Sequence, residues 1–235
     1  MSTSALRNRN FLIYLSGALV SLHGLWIYRV ALGWSAWELT GSELWVGIVA
    51  FTQFAPAVVF GPLFGVLADR VDRRHASILV NTGSALNMAV LATVTFTGNL
   101  DIAMLTASSI MQGTLDGAHT PIRMTLVPSL VSREQLQSAI ASNSIAFNVS
   151  RFVGPAIAGF IIAVFGVGTA FAVNGVTYLA IVTAVFFVTL NPRSRRRTKP
   201  GAVWAEIMEG VRYVAEHQTI RALLLIVAIA SVFGR

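Results

Sequence analysis

The sequence predicts an all-α membrane protein, a bundle of six transmembrane helices followed by the truncated start of a seventh. Three observations predict it. Mean hydropathy is +0.70, with 55% apolar and only 11% charged residues, where a soluble domain carries charge on about a quarter of its residues. Six apolar stretches are long enough to cross a bilayer. Thirteen of the seventeen Lys and Arg residues fall in alternate gaps between those stretches, and the other gaps hold none.

A crossing needs about 20 apolar residues at 1.5 Å each to span a core of about 30 Å. The qualifying stretches run from 11–37, 45–68, 76–97, 102–126, 138–164 and 170–190. The first is long and lacks a small-residue cleavage pattern, so it reads as a first transmembrane helix and not as a removable signal. The gaps 98–101 and 165–170 are very short, which makes the helices they join antiparallel neighbours. Arg7 and Arg9, Arg70, Arg73 and Arg74, Arg133, and seven residues between Arg193 and Arg221 mark the cytoplasmic gaps. The opposite gaps carry Glu38, Glu43 and Asp101. This bias expects a multi-pass protein of the cell membrane with a cytoplasmic N-terminus.

After the sixth stretch, residues 192–200 form a basic cluster suited to anionic headgroups. Val203, Ile207, Val211 and Val214 then recur at helical spacing, which reads as an amphipathic surface helix, a loose cytosolic linker being the alternative. Residues 221–235 are apolar but reach only about 22 Å as a helix, short of a crossing. The expected organisation is therefore a six-helix domain at 1–190, a cytoplasmic loop at 191–220 and the truncated start of helix 7 at 221–235, within a longer protein.

Composition also excludes functions. A pI near 11.0 suggests a nucleic-acid partner, but the basic residues are dealt among membrane-flanking loops and form no binding face. Zero cysteines remove disulfides, thiol chemistry and Cys-ligated metals. No nucleophile–base set, phosphate loop or metal-ligand spacing is present, so the sequence predicts no enzyme, no metal and no cofactor.

Polar residues inside the stretches are the candidate site. Arg29, Asp116 and Arg151 sit where a charge costs about 2.5–3.5 kcal/mol on insertion scales, and such residues face a cavity or a partner. Gln112, Asp116, His119 and Arg123 are spaced 4, 3 and 4 apart, on one helix face, which is expected to line water or substrate. By depth, Asp116 lies about 16 Å and Arg151 about 20 Å from the inner ends of their helices, with Arg29 about 27 Å up helix 1. That arithmetic expects Arg151 to be the partner of Asp116, either as a static ion pair or within a transport path. Asp116 is the deep carboxylate able to carry a proton, and His119 is a candidate because an imidazole ordinarily titrates near neutral pH; His23 is a weaker candidate.

Two motifs carry a family resemblance. Gly65-Val66-Leu67-Ala68-Asp69-Arg70-Val71-Asp72-Arg73-Arg74-His75 resembles the helix 2–3 loop signature of the major facilitator superfamily, with Asp72 where that pattern usually has Gly. Gly154-Pro155-Ala156-Ile157-Ala158-Gly159 is similar to the helix 5 motif of superfamily antiporters, and Gly61-Pro62-Leu63-Phe64-Gly65 echoes it in helix 2. Weaker signals, from Arg7-Asn8-Arg9-Asn10-Phe11 to Glu209-Gly210-Val211-Arg212-Tyr213, resemble exporters grouped with the enterobactin exporter.

The resemblance implies the N-terminal half of a twelve-helix secondary transporter, with a 3+3 inverted repeat, helices 1 and 4 at a central cavity and a gating loop of Gly65, Asp69, Arg70, Arg73 and Arg74. It implies efflux of a small drug-like or siderophore-like molecule by a proton-coupled antiporter in the lipid bilayer, completed by a missing C-terminal half. An importer, or a six-helix partner protein that transports nothing, are the alternatives. Drug antiporters often carry Arg three residues before Gln-Gly in helix 4. Here that residue is Ser109, so their proton-relay role does not carry over.

Overall fold

The computed structural model describes residues 4–190, together with Met208 and Arg212 beyond them. A 3-10 turn, Ala5–Arg7, leads into α1 (Arg9–Thr40), α2 (Glu43–Arg70), α3 (Arg73–Phe96), α4 (Ile102–Leu130), α5 (Leu136–Phe165) and α6 (Val167–Phe187), with no strand among the described residues. Each expected stretch corresponds to one helix. The basic cluster at 192–200, the amphipathic helix at 203–214 and the start of helix 7 lie outside the described residues.

Five of the six helices are long and apolar enough to cross a membrane; α4 is the exception. This corrects the expectation that all six qualify. At 29 residues α4 has the length, but the stripe from Gln112 to Arg123 dilutes its apolar character. It is packed among α1, α2 and α3, so protein lines much of its surface.

Hydrogen bonds gather the basic segments at one end of the bundle. Asn8 donates from Nδ2 to the Leu130 carbonyl at 3.1 Å, and Asn10 to the Thr189 carbonyl at 3.2 Å. The Ala5 amide donates to Ser138 Oγ at 3.1 Å. Arg74 donates to the carbonyls of Phe186 and Val188. The start of α1, the start of α3, the α4–α5 connection and the end of α6 are thereby joined. At the other end the turns are tight. Gly41 and Gly98 adopt φ of 59° and 72°, a left-handed backbone that other residues rarely take. A single residue, Gly166, separates α5 from α6.

Small residues set the helix pairing, because a missing side chain lets backbones approach. Gly113 and Gly117 of α4 lie against Gln53 and Ala57 of α2, and Gly17 of α1 against Ala184 of α6. The extensive contacts are α2–α4, α1–α6, α3–α6 and α1–α5, whereas α4 and α5 scarcely touch. Three apolar clusters result, a small one of Ala68, Ala118 and Ile122 and two larger ones. One joins Tyr28, Leu32, Met88, Leu105 and Phe171 toward the glycine-turn end. The other joins Phe11, Tyr14, Leu126, Leu130 and Val185 toward the basic end. Polar side chains of α3, α4 and α6 lie between them.

Candidate functional site

The polar layer is centred on Gln112, which is fully buried. Its Nε2 is within hydrogen-bond reach of Tyr178 OH at 2.8 Å, Asp116 Oδ1 at 3.1 Å and Ser84 Oγ at 3.2 Å. An amide nitrogen has two hydrogens, so these three acceptors share two donors. Gln112 Oε1 accepts from Asn87 Nδ2 at 3.3 Å, and Asn87 is itself held by Ser108. The layer thus ties α3, α4 and α6 together through side-chain hydrogen bonds. Ser109, one turn above, bonds Thr52 of α2 at 2.6 Å, a structural contact.

Below Gln112 the stripe opens on a cavity of about 150 Å³, lined by Asp116, His119 and Arg123 of α4, Arg29 of α1 and Tyr178 of α6. It has the polar walls and the volume to hold water. The structure therefore brings Arg29, Gln112, Asp116 and His119 together. Arg151 is placed elsewhere. Its guanidinium faces the Trp26 ring at 5.9 Å, and α4 and α5 barely meet. The expected pairing of Arg151 with Asp116 is replaced by a cavity shared between Asp116 and Arg29. Helix depth alone ignored azimuth, and the polar faces of α4 and α5 do not converge at that level. Arg29 also stacks on Trp26 at 4.6 Å and on Phe54 at 5.1 Å, contacts worth about 0.5–2 kcal/mol each according to how dry they are.

A second cavity of about 420 Å³ lies between α4 and α5 toward the basic end, and shares Arg123 and Phe147 with the first. His23 occupies neither. Its Nδ1 lies 2.8 Å from the Leu19 carbonyl and 3.1 Å from Ser150 Oγ, a link between α1 and α5.

The motif residues divide by environment. A Cβ on Gly154 would lie 2.5 Å from Trp26 Cβ, so this glycine seats α5 on α1; Gly159, Gly61 and Gly65 meet nothing within 4 Å among the described residues. Pro155 sits within an unbroken α5. Asp69 and Arg70 end α2, and Arg73 begins α3, while Arg74 anchors α3 to the end of α6.

Asp72 caps α3, accepting the His75 backbone N–H at 3.0 Å. That bond, followed by the His75 ring at 3.0 Å from the same oxygen, holds its carboxyl below the usual carboxylate range despite slight burial. The Asp at the pattern's Gly position is thus a helix cap. Asp72→Ala is expected to cost about 0.5–2 kcal/mol of stability. A lowered carboxyl pKa stabilises above the unfolded value and is lost as pH falls through the folded one. The difference between variant and parent in thermal unfolding should therefore shrink below about pH 4.

The family model of transmembrane secretion effectors matches residues 1–234. The chain belongs to this branch of the major facilitator superfamily. Among curated relatives, it is 27% identical over 192 residues to the staphyloferrin A transporter of Staphylococcus aureus, covering 80% of this chain and 48% of that protein. It is 27% identical over 213 residues to macrolide efflux protein A of Streptococcus pyogenes, covering 90% and 52%. It is 28% identical over 227 residues to the multidrug efflux pump Tap of Mycolicibacterium fortuitum, covering 94% and 56%. The chain spans about half the length of the relatives it matches. By its family and its apolar helices the chain is a multi-pass membrane protein, and that family is one of transporters and not of enzymes.

Sequence reasoning named Arg123 in the stripe without counting it as a site residue, and missed Ser84, Asn87 and Tyr178. The signal was available: amides and hydroxyls inside apolar stretches need partners within the membrane.

Proposed function

We propose that this chain is the N-terminal six-helix half of a secondary transporter that exports a small molecule from the cell by alternating access. The observation that carries the reading is the cavity along α4, where Asp116, His119 and Arg29 meet deep inside an apolar bundle. A buried charge at that depth is costly and is kept for a path or a partner. Asp116 is the proposed proton carrier, and Arg29, Gln112 and His119 complete the pathway with it; Arg151, beside Trp26, stands apart from it. The relatives' names, a siderophore transporter and drug efflux proteins, support export of a drug-like or siderophore-like cargo.

The α2–α3 loop, with Gly65, Asp69, Arg70, Arg73 and Arg74, is proposed as the cytoplasmic gate, and the open faces at Gly61, Gly65 and Gly159 as surface for the second half of the protein. The pairings α2–α4 and α1–α5, like α1–α6 and α3–α4, exchange when helices 1–3 are swapped for 4–6, which supports a 3+3 inverted repeat.

The test is efflux from inside-out vesicles carrying the complete protein. Accumulation should follow an imposed proton gradient and stop with an uncoupler. Single cysteines at Arg73, Arg133 and Arg196 should react from the cytoplasmic face, and one at Asn99 from outside. Accumulation in the reverse sense would make the protein an importer; none with any cargo would favour a non-transporting membrane partner.

A further inference from the structure

Arg123 lines both cavities and makes no hydrogen bond or ion pair with any described residue. It lies seven residues inside the end of α4, about 10 Å deep, where a guanidinium without a counter-charge is unfavourable. Away from helix ends the six helices carry three Arg, at 29, 123 and 151, and one carboxylate, Asp116. The larger cavity has an apolar wall of Met124, Val127, Ile140 and Phe147. Across it, Asn143 spends its Nδ2 on the Ala139 carbonyl, and its buried Oδ1 has no hydrogen-bond partner among the described residues. The volume of about 420 Å³ falls in the range of sites for drug-sized ligands.

From these groups we infer that the cargo is an amphipathic organic anion. Its negative group docks on Arg123, a hydroxyl or N–H donates to Asn143 Oδ1, and its apolar body lies on the α4–α5 wall before it passes Phe147 toward Asp116. This rests on the transporter reading above and specifies the chemistry that reading leaves open. An anion satisfies Arg123, an attached donor satisfies Asn143, and an apolar frame matches the wall.

The experiment compares two dyes of one xanthene frame and opposite charge, anionic fluorescein and cationic rhodamine 6G, on the complete purified protein. Fluorescein should bind saturably by anisotropy. Arg123→Gln should weaken it about tenfold or more, the scale of one charge-assisted hydrogen bond. Arg123→Lys should restore part of the loss, and Asn143→Leu should weaken binding several-fold, each variant eluting as a monodisperse peak. Preference for rhodamine 6G, binding of neither dye, or fluorescein binding indifferent to both Arg123→Gln and Asn143→Leu would overturn the inference. So would loss of copurifying phosphatidylglycerol in Arg123→Gln with dye binding unchanged, since Arg123 would then hold a lipid phosphate. Fluorescein binding without gradient-driven movement in proteoliposomes would leave the anion site standing and remove the transporter reading instead.

Discussion

Replacing Gly113 by Leu should abolish the folded protein. A Cβ at this position would overlap the backbone carbonyl oxygen of Gln53 and come within 2.8 Å of its carbonyl carbon, and one at Gly117 would lie 2.9 Å from Ala57 Cα. These are main-chain atoms of α2, so no rotamer change relieves the clash and the helices must separate. Ordinary overpacking costs about 1–3 kcal/mol. Here separation would also break the Thr52–Ser109 bond and expose the polar layer to lipid. Gly113→Ala should already lower thermal stability sharply in detergent. Gly47→Ala, on the same α2 with nothing within 4 Å of the new Cβ, should be neutral or stabilising by up to about 1 kcal/mol. Normal yield and melting of Gly113→Leu would show that α2 and α4 do not pack as described.

The second large effect is on transport. Asp116→Asn keeps the side chain's shape and an oxygen that can accept from Gln112, so the fold should survive. The charge is lost, and Arg29, Arg123 and His119 are left around a cavity with no anion. Gradient-driven efflux should fall by about tenfold or more, the scale of one charge-assisted hydrogen bond, while Asp116→Glu should retain a fraction. Gln112→Ala should behave differently. It strips partners from Asn87, Ser84, Tyr178 and Asp116 together, each unsatisfied group costing about 1–3 kcal/mol, so it should reduce yield before it reduces turnover. Efflux by Asp116→Asn equal to that of the parent would remove Asp116 from the proton path.

The helices were legible because a bilayer leaves the backbone few choices. Apolar length and alternating Lys and Arg place α1 to α6 within a few residues, and the α4 stripe at 112, 116, 119 and 123 follows from helix period alone. What spacing could not supply was rotation between helices. Arg151 and Asp116 lie at similar depths, yet one faces Trp26 and the other Arg29, because Gly154 seats α5 on α1 and leaves α4 and α5 apart. The glycines at 113 and 117 carry the spacing that brings α4 onto α2, but their partner is fixed by tertiary packing. Likewise Asp72 reads as a blemish in a loop pattern until its bond to the His75 amide makes it a cap.

The central claim is that the α4 stripe lines a water-filled path, and this chain has no cysteine to remove. Single cysteines along α4 in the complete protein, probed in membranes with a hydrophilic maleimide, test this directly. Positions 116, 119, 120 and 123 should react and be protected by cargo, while 105, 118, 122 and 126, which are buried, should stay silent. A reactivity pattern out of phase with the stripe, or silence at 116, 119 and 123, would contradict it.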